Sequence, residues 1–193
     1  MISQICYTFK MLKIAVLDDD LIFLKNFEAY LIALLSEIDD YTIQTFNDPD
    51  LFIQSNDTYD WLFLDVEIGN HNGLEIAERI KRNISEIIFV SSHSNYVFDS
   101  FKISPFSYLL KNELEMKGTT EIQRLIRKYK ENQQTISIVT NQSKYKIRLN
   151  TILYFFKEDD YILVRCIKNT YKYKENLRNL VLNKDFIYIN RYE

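Results

Sequence analysis

Trp61–Ile80 reads WLFLDVEIGNHNGLEIAERI, and the role of its fifth residue decides the fold. Trp61, Leu62, Phe63 and Leu64 form a short apolar run with the character of a buried strand. A carboxylate, Asp65, stands at its end. The nine residues from Asp65 to Gly73 then lead to a helical pattern with Leu74, Ala77 and Ile80 on one face. Asp65 either marks where the chain surfaces or is a charge held on the rim of a sheet.

The flanking sequence repeats the arrangement. Leu12–Leu17 (LKIAVL) is apolar and runs into Asp18, Asp19 and Asp20. Leu24, Phe27, Leu31 and Leu34 follow at helical spacing, with Asp20 a natural N-cap. Tyr41–Phe46 alternates like a strand, and Asn47 or Asp48 can cap a short helix near Leu51–Gln54. Ile87–Val90 and Tyr108–Leu110 read as further strands. A helix over Thr120–Lys130 turns Ile122, Leu125, Ile126 and Tyr129 inward. Strands alternating with helices predict an α/β fold, a doubly wound five-stranded parallel sheet with helices on both faces. Right-handed crossovers place its functional crevice at the carboxyl ends of the strands.

The polar residues at those ends are Asp18 and Asp19, Asp65, Ser91 and Lys111. Taken singly, each has an ordinary reading as a strand end, a turn serine or a solvated lysine. Together they do not. Two carboxylates about 4 Å apart repel by roughly 4 kcal/mol at an effective dielectric near 20. Three packed together call for a cation, and a hard divalent ion such as Mg²⁺ suits oxygen ligands. With Lys111 nearby, the set predicts a site that neutralises a phosphoryl group and leaves one carboxylate, Asp65, as nucleophile.

The pieces IAVLDDD (Ile14–Asp20), WLFLDVEIGNHNG (Trp61–Gly73), IIFVSSH (Ile87–His93) and FSYLLKN (Phe106–Asn112) occur in an order and at separations that resemble the receiver domains of two-component response regulators. The resemblance covers residues 11–130 and implies a flavodoxin-like receiver. It also implies Asp65 as phosphoacceptor and Asp18 and Asp19 as the acidic pair. Mg²⁺ would be bound with Asp65 and the Glu67 backbone carbonyl. Ser91 would be the switch hydroxyl, Tyr108 the switch aromatic and Lys111 the phosphate-pairing amine. Two positions depart from the family pattern. Asn112 replaces the usual Pro after the lysine, which predicts a trans bond and a less firmly aimed Lys111. Gly69 replaces a usual Pro in the loop after Asp65. His71 and His93, the two histidines, are expected to be exposed loop residues. No histidine phosphodonor is recognisable in the chain, so a sensor histidine kinase or a small phosphodonor is the expected partner.

Composition supports a two-part chain. Hydrophobic residues make up 47% of the 193, ample for a core, with only three Gly and two Pro. Residues 1–130 carry 13 Lys and Arg against 20 Asp and Glu, and residues 131–193 carry 11 against 7, an acidic front and a basic back. No apolar run approaches the ~20 residues of a membrane span, and Met1–Lys10 lacks the apolar core of a signal peptide. Cys6 and Cys166 have no metal-ligand spacing and read as reduced thiols. The chain is expected to be cytoplasmic and without membrane contact.

Residues 1–10 read as an upstream extension and 131–135 as a polar linker. Residues 136–193 read as a smaller β-rich partial domain: ISIVT, YKIRL, ILYFFK, YILVRCI and YKYK, then a helix over Glu175–Leu182 and a strand over Asp185–Asn190. The segments Lys144–Cys166, Thr170–Leu180 and Phe186–Tyr192 resemble the start of the LytTR-type DNA-binding domain. The 58 residues after Thr135 are fewer than that domain normally has, which implies a truncated module. Lys144 and Lys146 are candidates to hold DNA phosphates, with Lys157 in the Lys157–Asp160 loop and Arg191 as further candidate contacts. The expected function is a response regulator, homodimeric when phosphorylated, that controls transcription at promoter DNA. The alternative is a truncated regulator that accepts phosphate without binding DNA, as a phosphate sink or protein-interaction module. A phosphatase with an aspartyl nucleophile is a third reading, but it calls for a second Asp two residues after Asp65, where Glu67 stands.

Overall fold

A computed structural model describes residues 5–7, 11–139 and 143–174. They belong to two compact units, Lys10–Ile126 and Met1–Phe9 with Arg127–Glu193. Strand β1 (Ile5–Tyr7) belongs to the second of these.

The larger unit contains β2 (Leu12–Leu17), α1 (Leu21–Leu34), β3 (Tyr41–Phe46), α2 (Pro49–Ser55) and β4 (Tyr59–Leu64). A hairpin of β5 (Glu67–Ile68) and β6 (His71–Asn72) leads into α3 (Gly73–Ile80), then β7 (Ile84–Ser91), α4 (Val97–Ser100), β8 (Ser107–Leu110) and α5 (Thr119–Gln133), whose residues up to Ile126 belong to this unit. Five strands pair in parallel in the order β3-β2-β4-β7-β8, the doubly wound arrangement the alternation predicts. The inner strands carry near-continuous apolar runs because both faces are covered. Ala15, Leu17, Leu62, Leu64 and Phe89 pack on one side with Phe52 of α2 and Ile76 and Ala77 of α3. On the other side, Phe27 of α1 meets Phe63 edge-on at 5.2 Å. Tyr30 of α1 bonds the Thr119 hydroxyl of α5 at 2.9 Å.

Register fixes the rim. Leu17 lies opposite Leu64, so Asp18 and Asp65 leave neighbouring strands side by side. Ser91 lies opposite Leu110, which brings Lys111 beside it. Helices α1, α2 and α3 start where a side chain accepts orphan N–H groups. Asp20 does so for Ile22 and Phe23, Asp48 for Asp50 and Leu51, and Asn72 for Leu74.

Three details differ from the expectations. The stretch after Asp65 contains a two-strand hairpin, turning at Gly69 with φ +55°, a conformation that costs glycine little. The one-turn α4 was not foreseen, because four residues show no periodicity. Residues 131–135, read as a linker, are divided between the end of α5 and the start of β9 (Gln134–Val139).

In the other unit β9 pairs antiparallel with both β1 and β10 (Lys144–Arg148), so part of the expected N-terminal extension is a sheet strand. A second antiparallel sheet contains β11 (Ile152–Glu158), β12 (Tyr161–Cys166) and β13 (Thr170–Lys174). Ile136, Ile138, Ile147, Leu149, Ile162 and Val164 contribute to one core. The expected helix Glu175–Leu182, the strand Asp185–Asn190 and Arg191 lie outside the described residues. Among the described residues no helix is long and apolar enough to cross a membrane.

Candidate functional site

The carboxyl edge of the parallel sheet gathers the charged residues. Asp18, Asp65 and Ser91 are buried, at 1%, 6% and 0% exposure. The Lys111 ammonium lies between the two carboxylates, 2.6 Å from Asp18 Oδ2 and 2.7 Å from Asp65 Oδ2. No peptide bond among the described residues is cis, and Lys111 reaches both carboxylates with Asn112 behind it.

The remaining oxygens are assigned. Asp18 Oδ1 accepts the Asp20 N–H at 3.0 Å. Asp65 Oδ1 accepts the Val66 N–H at 2.6 Å and the Glu67 N–H at 3.4 Å. Asp19 is exposed, and its Oδ2 accepts the Gly69 N–H at 2.8 Å, tying the hairpin to the rim. Burial pushes the Asp18 carboxyl up, against the opposing pull of Lys111 and the Asp20 N–H. Burial alone would lower the Lys111 ammonium, but hydrogen bonds and charge from Asp18 and Asp65 outweigh it and raise it.

The switch candidates meet at one backbone. Ser91 Oγ accepts the His93 N–H at 3.3 Å, and the Tyr108 hydroxyl donates to the His93 carbonyl. Burial, with nearby carboxylate charge, raises the Tyr108 phenol. The Glu67 carboxylate is engaged from outside, by the Tyr96 hydroxyl at 2.8 Å and His93 Nε2 at 3.1 Å. His93 is therefore half-exposed but partnered. His71 lies 3.9 Å from Asp50.

One residue of this site escaped the sequence reading. A Cβ on Gly73 would lie 2.0 Å from the Asp65 carbonyl oxygen, and the Gly73 N–H donates to the Val66 carbonyl at 2.7 Å. The start of α3 is thus pressed against the backbone that carries Asp65, a distance only glycine permits. The signal in sequence is a lone Gly opening a helical pattern.

The donor set at the rim is all oxygen, which fits a hard divalent cation, and Asp18 Oδ2 has the Lys111 ammonium as its partner. Among the described residues no group of three acidic, His or Cys side chains is already assembled as a metal site. The positive charge between the two buried carboxylates is that of Lys111.

The candidate DNA contacts are elsewhere. Lys144 and Lys146 are exposed on β10, on the same side of the strand by alternation, and Lys157 is exposed on β11. The turn after Lys157 carries Glu158, Asp159 and Asp160. Glu158 pairs with Lys172 at 2.6 Å and Asp160 with Lys174 at 3.6 Å.

The chain is similar to the sensory transduction protein LytT of Bacillus subtilis, 26% identical over 153 residues, 68% of this chain and 61% of that protein. It is 24% identical over 166 residues to the sensory transduction protein LytR of Staphylococcus haemolyticus, covering 70% and 65%. It spans less than two thirds of the length of either. Among solved structures, the response regulatory domain of mrkE from Klebsiella pneumoniae shares the fold, with a TM-score of 0.50 and 21% identity over 61% of this chain and 98% of that one. The sequence model of the response regulator receiver domain matches residues 14–123. These residues include every rim group from Asp18 to Lys111, so the chain belongs to the response regulator receiver domain family.

Proposed function

We propose that this chain is a response regulator whose Asp65 accepts a phosphoryl group from a sensor histidine kinase in the cytoplasm. The observation that carries the reading is Lys111 Nζ placed within 2.7 Å of both Asp18 and Asp65. An ammonium so placed can pair with phosphoryl oxygens without leaving the site. An Asp65 oxygen attacks phosphorus; the new P–O bond forms as the P–N bond to the donor histidine breaks. Mg²⁺, when bound by Asp18, Asp19, Asp65 and the Glu67 carbonyl, supplies charge neutralisation for the phosphoryl oxygens.

The added charge then draws Ser91 and Lys111 towards it. Ser91 Oγ and the Tyr108 hydroxyl both bond the His93 backbone, so a rotation of Ser91 releases one of the two holds on that loop. This biases the face containing Tyr108 towards dimerisation. Output is transcription control through a LytTR-like module, with Lys144, Lys146, Lys157 and Arg191 as DNA contacts. Exposure of the three lysines supports this output. One observation favours a second reading, a regulator that accepts phosphate without binding DNA. The turn after Lys157 is acidic, and Lys172 and Lys174 are paired with its carboxylates. A phosphatase role is disfavoured, because the Glu67 carboxylate is engaged by Tyr96 and His93.

The test is binding to genomic DNA fragments with and without beryllofluoride and Mg²⁺, at low and moderate salt, alongside labelling by acetyl phosphate. Labelling that Asp65→Asn removes, with fragment-selective binding strengthened by beryllofluoride, is the expected result. Labelling without DNA binding at any salt selects the second reading. No labelling overturns both.

A further inference from the structure

Lys111 has a third neighbour besides its two carboxylates. The ammonium lies 4.3 Å from the centroid of the Phe23 ring. Phe23 is in the first turn of α1, its N–H held by Asp20 Oδ1 at 3.1 Å. Its ring stacks on Phe27 at 5.2 Å and 15°. Phe27 in turn meets Phe63 edge-on, and both are buried, at 2% and 1% exposure. Phe23 is therefore the outer end of an aromatic column rooted in the core, and its negative π face meets the cation.

A lysine side chain has a flexible four-carbon stem and a point charge with no directional fork. Two carboxylates attract that charge but leave it free to rotate about the line joining them. A ring on one side removes that freedom. The residue after Lys111 is Asn112, which does not fix the backbone as a proline would.

We propose that Phe23 is the positioning residue for Lys111: its ring holds the ammonium over the gap between Asp18 and Asp65. Its consequence for phosphoryl transfer rests on the reading of Lys111 as the phosphate-pairing amine. The ring acts through its π electrons rather than its bulk. The helix that follows the acidic residues thus supplies, from its first turn, a support for a lysine far along the chain.

The experiment uses the full chain in two arms. In the first, without any phosphodonor, NMR reads the Lys111 Cε protons in wild type and in Phe23→Leu. An upfield ring-current shift that disappears in Phe23→Leu is expected; its absence in wild type overturns the proposal whatever Asp65 does. In the second, phenylalanines bearing one, two and three ring fluorines are placed at position 23, keeping the shape while draining the ring face of negative charge. The rate of labelling by acetyl phosphate is expected to fall stepwise, about three- to tenfold in all, at constant melting temperature, with Phe23→Tyr close to wild type. A rate flat across the series overturns the positioning role. If wild type takes no label but the ring-current shift is present, the phosphoryl reading fails while Phe23 still positions Lys111.

Discussion

The two units of this chain treat charge in opposite ways. The receiver unit buries it: Asp18 and Asp65 are at 1% and 6% exposure, with Lys111 between them. The other unit displays it. Its core is apolar, Gln133 and Thr135 are its buried polar residues among those described, and Lys144, Lys146, Lys157, Lys172 and Lys174 are exposed. A buried charge has few screening waters, so geometry governs its energy and it can work as a switch. A displayed charge is screened within about 10 Å at ordinary salt and acts by number rather than placement. The contrast separates a buried site whose geometry sets its energy from a basic surface that solvent and salt screen.

The largest effect is expected where the buried geometry is tightest. Gly73→Ala puts a methyl 2.0 Å from the Asp65 carbonyl oxygen, against backbone rather than a flexible side chain. A cost at the upper end of overpacking, about 3 kcal/mol, should appear in urea denaturation, with slower labelling by acetyl phosphate. Wild-type stability in this variant would break the claim that the rim is rigid.

Lys111→Met should come next. It strands two neighbouring carboxylates, and loss of one partner of a buried pair costs about 3 kcal/mol. The sign with pH follows from the raised Lys111 ammonium. Its contribution is complete below the ordinary lysine value and is lost only as pH rises through the higher folded one. The gap between wild type and Lys111→Met should therefore be open at neutral pH and close only in strong alkali. Asp18 has the opposite sense. Its carboxyl is raised by burial, so its favourable contribution holds below the ordinary carboxylate value and is lost as pH rises through the folded one. Asp18→Asn should accordingly melt higher than wild type at neutral pH, and the gain should vanish in acid. Paired thermal melts across pH check both signs.

A smaller effect is expected on the displayed side. If the second unit binds DNA, Lys144→Ala and Lys146→Ala should each weaken binding across all sequences and lower the salt slope by about 0.9. A change confined to one sequence would mean that a base is being read, and would sharpen the contrast differently. The smallest concerns Cys166. It is buried, and burial, partly offset by the Thr151 hydroxyl, raises its thiol. A disulfide reagent should label it slowly in the folded chain and fast in urea.

Much of the receiver was legible because its central strands are covered on both faces. LKIAVL, WLFL and IIFV stand out as apolar runs, and acids at their ends are conspicuous against them. The hairpin after Asp65 and the single turn α4 were not legible, since two- and four-residue elements carry no period. In the second unit the strand segments were visible by composition. Their division into two sheets was not, nor was the pairing of Ile5–Tyr7 with β9. That pairing joins residues some 130 positions apart through backbone hydrogen bonds, which leave no mark on side-chain pattern.

By itself, then, the sequence determined which residues stand at strand ends and what charge they bear, because burial and periodicity are written locally. Three contacts were decided only by the tertiary structure: Lys111 between Asp18 and Asp65, Phe23 beneath Lys111, and Gly73 against the Asp65 carbonyl. Each joins residues from different elements, and its distance is set by the strand register and the packing of helices on the sheet. Spacing along one chain contains neither quantity.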